Sequence, residues 1–514
     1  MIQVVETEHC GRGVVATERL DPSGPAGLEV VREAATVVFI PHGSQRDQSP
    51  PVPPPLEGLV DPQDWTNYWW FQQHSAEVQR EVLTEFYSNG DCKEATTLQC
   101  CLLGCHSSLE LDVEEFVKVA MIVRHNGVAM HPAAPHGRSR GKFFGVGLCK
   151  LSCTINHSCH PNCVWFTAQN GRDKIVRVIA PIEVGEELLV DYGGDLLLPT
   201  HLRRAKLQST KGFVCECSRC NNDEQETRWS YCETKSTTSS SCCSGTHFII
   251  QPHMDTVPIM TNCSKCHHEA SSKHLQKVLE LELELHQEID KIEHIADQNL
   301  PMDVSGRIMA LKPPHPYHYL AEMTYKIQGE LYGQLQQWDA AVQANTRFVA
   351  CRDANLKPTI RKNGDNENYH DVEYASEVTA FACARLAASL LGTRHYTQAE
   401  QIHQRELRIL MRTHGGTAAD PEPYVANAVQ KILLVQQHLY PAPSTSITTS
   451  SNDFSTTTTT TTTASHPQLA QKYCALCGTK AALTCSRCGK VVYCCRDRQK
   501  LSWSKVHKKH CVLK

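Results

Sequence analysis

The spacing of apolar positions changes several times along the chain. Over residues 1–40, runs such as "GRGVVATERL" and "GLEVVREAATVVFI" are rich in Val and Thr and broken by Gly and Pro, the pattern of short strands. The next stretch, "PHGSQRDQSPPVPPPLEGLVDPQD", carries too many prolines for regular structure, because each fixes φ and removes a donor. From Trp65 the spacing turns helical. "AEVQREVLTEFYSN" puts Val78, Val82, Phe86 and Tyr87 on one side, and "DVEEFVKVAMIVRHN" does the same with Val113, Phe116, Val117, Ala120 and Met121. Strand character returns at "CVWFTA", "KIVRVIA" and "EELLVDY". The pattern predicts a β-rich domain with a helical insertion.

Residues 271–440 read as helices. "HLQKVLELELELHQEIDKIEHI" is one long amphipathic run, and a helix pair follows with Gly329 and Gly333 expected near its packing surface and a turn near Gln336 to Trp338. A second pair repeats the layout, with small residues, a short turn at Gly392 to Arg394, then Tyr396 and Ala399. Spacing in the mid-thirties with this form looks like tetratricopeptide-type repeats. The threonine-rich tract "PAPSTSITTSSNDFSTTTTTTTTASHP" has too little apolar surface to fold and predicts a flexible linker.

Composition narrows the class. Of 514 residues, 41% are hydrophobic and 21% charged, which is ordinary for a globular protein of several domains. The first residues show no basic region followed by an apolar core, and no apolar run is long enough to span a bilayer, so neither export nor a membrane partner is expected. A net charge of -4 gives no global pull toward nucleic acid, and the basic run "WSKVHKKH" is too short for a phosphate track. The 26 cysteines are the strongest signal. In a reducing compartment, C-x-x-C spacings point to zinc more than to disulfides.

Four local signals occur in order: Gly11-Arg12-Gly13, the stretch "INHSCHPNC" at 155–163, "GEELLVDYG" at 185–193, and Cys215-x-Cys217-x-x-Cys220. Together they resemble the SET-domain protein-lysine methyltransferases, and within them the SET and MYND (SMYD) family. That resemblance implies a multidomain α+β fold. Its parts are an N-terminal part of the SET domain (1–40), a loop and helical insertion (41–110), and a SET core with a pseudoknot (111–200). A zinc-bound post-SET region (201–268), an α-helical TPR-like domain (269–440), a Thr/Ser-rich linker (441–468) and a MYND-type zinc finger (469–514) follow. It also implies S-adenosyl-L-methionine as cofactor, contacted by Arg12, Gly13, Asn126, Asn156, His157, Tyr192 and Phe213. Tyr192 is the implied catalytic residue, and Phe213 forms a wall of the channel for the substrate lysine. Cys159 is implied as the fourth zinc ligand beside Cys215, Cys217 and Cys220, completing an all-cysteine structural set.

The last module resembles a MYND finger, with Cys474, Cys477, Cys485, Cys488, Cys494, His507 and Cys511 as implied ligands of two interleaved zinc sites. His507 and Cys511 are four apart, so a helix puts them on one face. The chain departs from the family in two ways. Arg498 stands where the family places a further cysteine, and the finger follows the helical region instead of lying inside the SET domain. Cys232, Cys242 or Cys243, Cys263 and Cys266 offer ligands for another zinc site. A protein substrate presenting lysine, proline-rich peptide partners for the finger, and a location in cytoplasm and nucleus follow from the resemblance. The alternative function is a catalytically weak adaptor or co-regulator scaffold built on the finger and the helical repeats.

Overall fold

Strands β1 (Ile2–Thr7) and β2 (Gly11–Ala16) pair antiparallel along their whole length, and β3 (Leu28–Ala34) and β4 (Val37–Phe39) then enter two separate sheets. The computed structural model describes residues 1–439, apart from 8–10, 23–27, 45–46, 87–92, 104–110, 131–144, 169, 194–195, 223–225, 234–242, 296–305, 308–309, 357–375 and 416–422. Beyond 439 it describes two short strands only. The helical insertion is present as α1 (Pro62–Gln72), α2 (Ala76–Glu85) and α3 (Lys93–Leu103), followed by α4 (Val113–Asn126). Asp61, Ser75 and Asp112 cap α1, α2 and α4 by accepting the N–H groups of Gln63, Val78 and Glu115, donors that a first turn otherwise leaves over. Val113, Phe116, Val117, Ala120 and Met121 are buried against Phe71, Val82, Phe86 and Leu102, so α4 is the spine of this lobe. Tyr87, expected on the same face as Phe86, lies outside the described residues.

After α4 come β5 (Val128–Met130), β6 (Gly145–Leu148), β7 (Asn156–His157), β8 (Cys163–Thr167), β9 (Asp173–Val178) and β10 (Leu189–Val190). One sheet has the order β4-β6-β5, another β3-β9-β8, all antiparallel, while β7 and β10 pair parallel. The segment 186–190 is gripped on both sides. On one side Leu188 N–H donates to Val14 O at 2.8 Å and Ala16 N–H to Glu186 O at 2.9 Å; on the other, Leu189 and Val190 stand opposite Asn156 and His157. This crossing pins "INHSC" against the strand that leads into Tyr192. Val14, Ile155, Cys163, Val176, Leu188 and Val190 form the core beneath it.

Helix α5 (Thr200–Lys211) stops at Gly212, whose φ of 77° is a left-handed C-cap that a side chain would strain. A small sheet follows, β11 (Trp229–Tyr231), β12 (Thr246–Ile250) and β13 (Ile259–Met260), then the long α6 (Ser272–Ile295). The helical region continues with α7 (Tyr319–Gln334), α8 (Trp338–Asn355), α9 (Glu377–Gly392), α10 (Tyr396–Thr413) and α11 (Pro423–Leu439). Each of these packs on the next, and both hairpins turn on a residue with positive φ, Gln336 at 56° and Arg394 at 62°. The helix-turn-helix layout is as expected, but the spacing is not. The pairs start at Tyr319 and Glu377, further apart than the mid-thirties, with 357–375 between them. Gly329 faces Asn345 of α8 as predicted, whereas a Cβ at Gly333 would meet open space. Ile179 and Val164 join the core of α9, α10 and α11, and Arg177 Nε donates to Arg412 O at 3.4 Å, so these helices back the sheet that carries β8 and β9.

No helix among the described residues is long and apolar enough to cross a membrane. Two further strands, β14 (Leu483–Thr484) and β15 (Val492–Tyr493), pair antiparallel. The linker and the finger residues Cys474, Cys477, Cys485, Cys488, Cys494, Arg498, His507 and Cys511 lie outside the described residues.

Candidate active site

Asn156 and His157 hold the crossing together with their own side chains. The Asn156 amide donates to Arg12 O at 3.1 Å and to Glu187 Oε1 at 2.7 Å, tying β2 to the threaded segment. Gly13 permits this approach: a Cβ there would lie 2.5 Å from Glu187 Oε1 and 2.6 Å from Thr7 Cγ2. Asn162 works from the other end, donating to Glu187 O at 2.8 Å and accepting Leu189 N–H at 2.7 Å. Asn156→Ala is therefore expected to cost about 1 kcal/mol, since the Glu187 carboxylate is part-buried while Arg12 O is exposed to water. A thermal melt without ligand reads this directly, and an unchanged melting temperature would mean that the clamp is idle.

His157 joins the crossing to a cysteine cluster. Burial pushes its ring down to about 4, so it is neutral at physiological pH. Its Nδ1 accepts the Tyr192 N–H at 3.2 Å, which assigns the ring proton to Nε2, and Nε2 lies 3.3 Å from Cys159 Sγ. The backbone of Tyr192 is thus fixed by the same imidazole that reaches the sulfur. The Tyr192 hydroxyl donates to Ile155 O at 2.9 Å, so its oxygen acts toward any further partner as an acceptor.

Aromatic rings pack around the Tyr192 ring. Trp165 stacks on Tyr192 with centroids 5.7 Å apart and planes 14° from parallel, and Phe213 meets it edge-on at 6.3 Å. His157 lies 6.1 Å from Phe213. Gly212 ends α5 so that Phe213 turns back toward Tyr192, while Lys211, in the last turn, extends to the end of α4. The Lys211 Nζ donates to Arg124 O at 3.3 Å and Gly127 O at 3.1 Å and sits 5.7 Å above the Tyr192 ring. Burial pulls its amine down to about 8. Burial pushes the Cys153 thiol up to about 12 against the pull of the Arg12 and Lys211 charges. Asn126 is buried at the end of α4, its amide donating to Ile122 O of the same helix at 2.8 Å.

The sulfurs of Cys159, Cys215, Cys217 and Cys220 all lie within 4.8 Å of one another. Cys159 is 3.5 Å from Cys220 and 4.0 Å from Cys215. A zinc ion with Zn–S bonds of ~2.3 Å in a tetrahedron needs sulfur–sulfur edges of about 3.8 Å, so the set fits zinc. These gaps are too long for a disulfide. Three buried arginines close around the cluster: Arg203 donates to Cys220 Sγ at 3.6 Å, Arg204 to Cys215 O at 2.9 Å and Arg219 to Cys159 O at 3.1 Å. Four thiolates on one zinc carry a net charge of about -2, which accounts for guanidinium groups buried here.

Two protein-family models match the chain, a SET domain over residues 11–193 and a MYND finger over 474–511. The chain is a SET and MYND domain protein. Human histone-lysine N-methyltransferase SMYD3 is 39% identical over 82 residues, 16% of this chain and 18% of that protein. Human N-lysine methyltransferase SMYD2 is 36% identical over 72 residues, 14% of this chain and 16% of its own. Saccharomyces cerevisiae SET6, a potential protein lysine methyltransferase, is 33% identical over 84 residues, 16% of this chain and 22% of its own. The chain thus aligns with about a fifth of the length of these relatives.

Within this SET and MYND domain protein, the fold brings Arg12, Gly13, Asn156, His157, Tyr192 and Phe213 to one place, with Asn126 at the edge next to Gly127. Three residues of the site went unread in the sequence: Trp165, Asn162 and Lys211. Asn162 sits in the same nine-residue stretch as Asn156, which is a usable signal. Trp165 is an aromatic in a strand and Lys211 a basic residue at a helix end, and neither stands out before the fold is known.

Proposed function

We propose that this protein transfers a methyl group from S-adenosylmethionine to lysine side chains of other proteins, histone or non-histone. The observation that carries the reading is Tyr192, its hydroxyl anchored on Ile155 O and its ring packed against Trp165, His157 and Phe213. The residues present suit the cofactor. Arg12 and Lys211 offer positive charge around Cys153 for a carboxylate, and the π-faces suit a sulfonium. Bound there, the cofactor supplies an electrophilic methyl group on sulfur.

The chain's own groups do the rest. With its O–H engaged in a hydrogen bond to Ile155 O, the Tyr192 oxygen would accept an N–H of the neutral amine and align its lone pair for in-line displacement, in which an N–C bond forms as the methyl–sulfur bond breaks. Trp165, stacked behind Tyr192, fixes the plane of the ring. The acceptor lysine must arrive neutral, and free lysine titrates near ~10.4. Loss of water on entering a buried channel penalises the ammonium form, and Lys211 shows the effect within this site, its amine pulled down to about 8 by burial. The reading is tested by incubating the chain with radiolabelled S-adenosylmethionine and a cell lysate. Base-stable label recovered as methyl-lysine supports it; no label from a folded, zinc-replete chain would leave the scaffold reading in its place.

Lys211→Met tests the carboxylate partner. Loss of a charge-assisted contact should weaken cofactor binding roughly 10- to 100-fold. The melt should fall by only a few degrees, because the lost bonds to Arg124 O and Gly127 O are partly offset by replacing a half-buried cation with an apolar chain. Calorimetric titration with S-adenosylhomocysteine reads the first and a thermal scan the second; unchanged affinity would remove Lys211 from the cofactor site.

The MYND finger is a protein-interaction module, and we assign it proline-rich peptide partners. The helical pairs are read as a TPR-like scaffold on the strength of their matching turns at Gln336 and Arg394. We assign its action to cytoplasm and nucleus, in keeping with cysteines grouped at metal-ligand spacing among the described residues.

A further inference from the structure

Far from Tyr192 in the chain, a second set of four cysteines converges at the small sheet of β11, β12 and β13. The sulfurs of Cys232, Cys243, Cys263 and Cys266 all lie within 4.8 Å of one another. Cys232 and Cys266 are 3.6 Å apart, Cys243 and Cys263 3.8 Å. Both spacings are tetrahedral edges for zinc–thiolate bonds, and neither is a disulfide. Of the two candidates the sequence left open, the described set includes Cys243; Cys242 lies outside the described residues.

The backbone around the sulfurs is arranged to support thiolates. Gly245 N–H points at Cys243 Sγ at 3.3 Å, and Lys265 N–H at Cys263 Sγ at 3.5 Å, the same two-residue offset at both places. Such amide-to-sulfur bonds stabilise negative charge on sulfur, and a neutral thiol gains little from them. The loop 263–268 closes tightly, with His267 N–H donating to Cys263 O at 3.0 Å and Cys263 N–H to His268 O at 2.9 Å. His267 adopts a left-handed φ of 57° to do so. The two turns are also joined, since Cys232 N–H donates to Gly245 O at 3.1 Å and Ser264 N–H to Thr246 O at 2.9 Å.

We propose that Cys232, Cys243, Cys263 and Cys266 bind a structural zinc ion distinct from the one beside the active site, and that it fastens the sheet to the helical region. The link runs through the residues next to Cys232. Glu233 accepts Ser271 N–H at 2.6 Å and Ser271 hydroxyl at 2.9 Å, just ahead of α6. Tyr231 O and Ser230 Oγ each lie 3.1 Å from His274 Nε2 in the first turn of α6. Fixing Cys232 therefore fixes the start of the helix on which the following region is built. All-thiolate ligation and a closed tetrahedron favour zinc over harder ions, which take oxygen donors.

The experiment uses the full chain, purified without chelator, with zinc counted per molecule by plasma mass spectrometry. Cys263→Ser is expected to lower the count by one, Cys217→Ser by one, and the double variant by two. Because Cys263 is buried and its variant can misfold, Cys266 at the exposed rim supplies a second arm: Cys266→Ser should lose the zinc, and Cys266→His, which still offers a ligand, should keep it. Hydrogen exchange should show faster exchange at 272–280 in Cys266→Ser and wild-type protection in Cys266→His. An unchanged zinc count in both serine variants would overturn the site. Iron in place of zinc would overturn the metal assignment, and an unaltered exchange pattern on zinc loss would overturn the fastening role.

Discussion

Tyr192→Phe should lower methyl transfer on the order of 100- to 1,000-fold, the usual loss when one oriented group at a reacting centre is removed. The substitution deletes one oxygen. It keeps the ring that stacks on Trp165 at 5.7 Å and meets Phe213 edge-on, and it keeps the backbone N–H that holds His157. The folded state loses the bond to Ile155 O, worth about 1 kcal/mol, so the melting temperature should move by only a few degrees. Cofactor affinity should stay within about threefold of wild type, as uniform binding is untouched and the loss falls on the transition state. Rate and binding measured on the same preparation separate the outcomes. A drop of less than about fivefold would make Tyr192 a structural tyrosine, satisfied by Ile155 and nothing more. Lost binding together with lost rate would mean that the hydroxyl holds the pocket open.

How much of this site could be read in the sequence depended on whether chemistry or geometry carried the signal. Cysteine spacing is chemistry: Cys215, Cys217 and Cys220 announce a ligand set three parts complete, the resemblance implies Cys159 as the fourth, and its sulfur lies 3.5 Å from that of Cys220. The helices were legible because Val113, Phe116, Val117, Ala120 and Met121 keep a helical period, and all five are buried. The roles of Asn156 and His157 were less accessible. Their side chains clamp Arg12, Glu187, Tyr192 and Cys159, and which of these each would meet depends on a parallel pairing of two-residue strands that has no periodic signature. Lys211 became visible only once Gly212 had stopped α5 and placed its amine over the Tyr192 ring. In the helical region, the repeated small-residue and turn pattern gave the pairs but not their separation, because the residues between Leu356 and Ser376 break the period.

Cys217→Ser should have the larger effect on stability and should also abolish activity, for a reason that Tyr192→Phe isolates. Structural zinc contributes its binding free energy to folding, and in small zinc domains this reaches about 10–16 kcal/mol. Here the ion joins two segments already held by other packing, so the loss should be smaller, on the order of 3–5 kcal/mol, still a large part of a domain's margin. Removing one ligand leaves three thiols and the buried Arg203, Arg204 and Arg219 without the anionic centre they enclose. The damage then travels by a short route. Cys159 follows β7 by two residues and is in contact with His157, and Cys215 lies two residues beyond Phe213, so two of the three aromatic neighbours of Tyr192 lose their anchor at once. Zinc content should fall by one, the melting temperature by roughly 10 °C or more, and methyl transfer below detection. Cys263→Ser, acting at the sheet that holds α6, should also lose one zinc yet retain measurable activity at low temperature, since no residue of that cluster touches the Tyr192 rings. Equal loss of activity in the two variants would show that the helical region and the Tyr192 site unfold as one unit; full zinc content in Cys217→Ser would remove Cys217 from the ligand set.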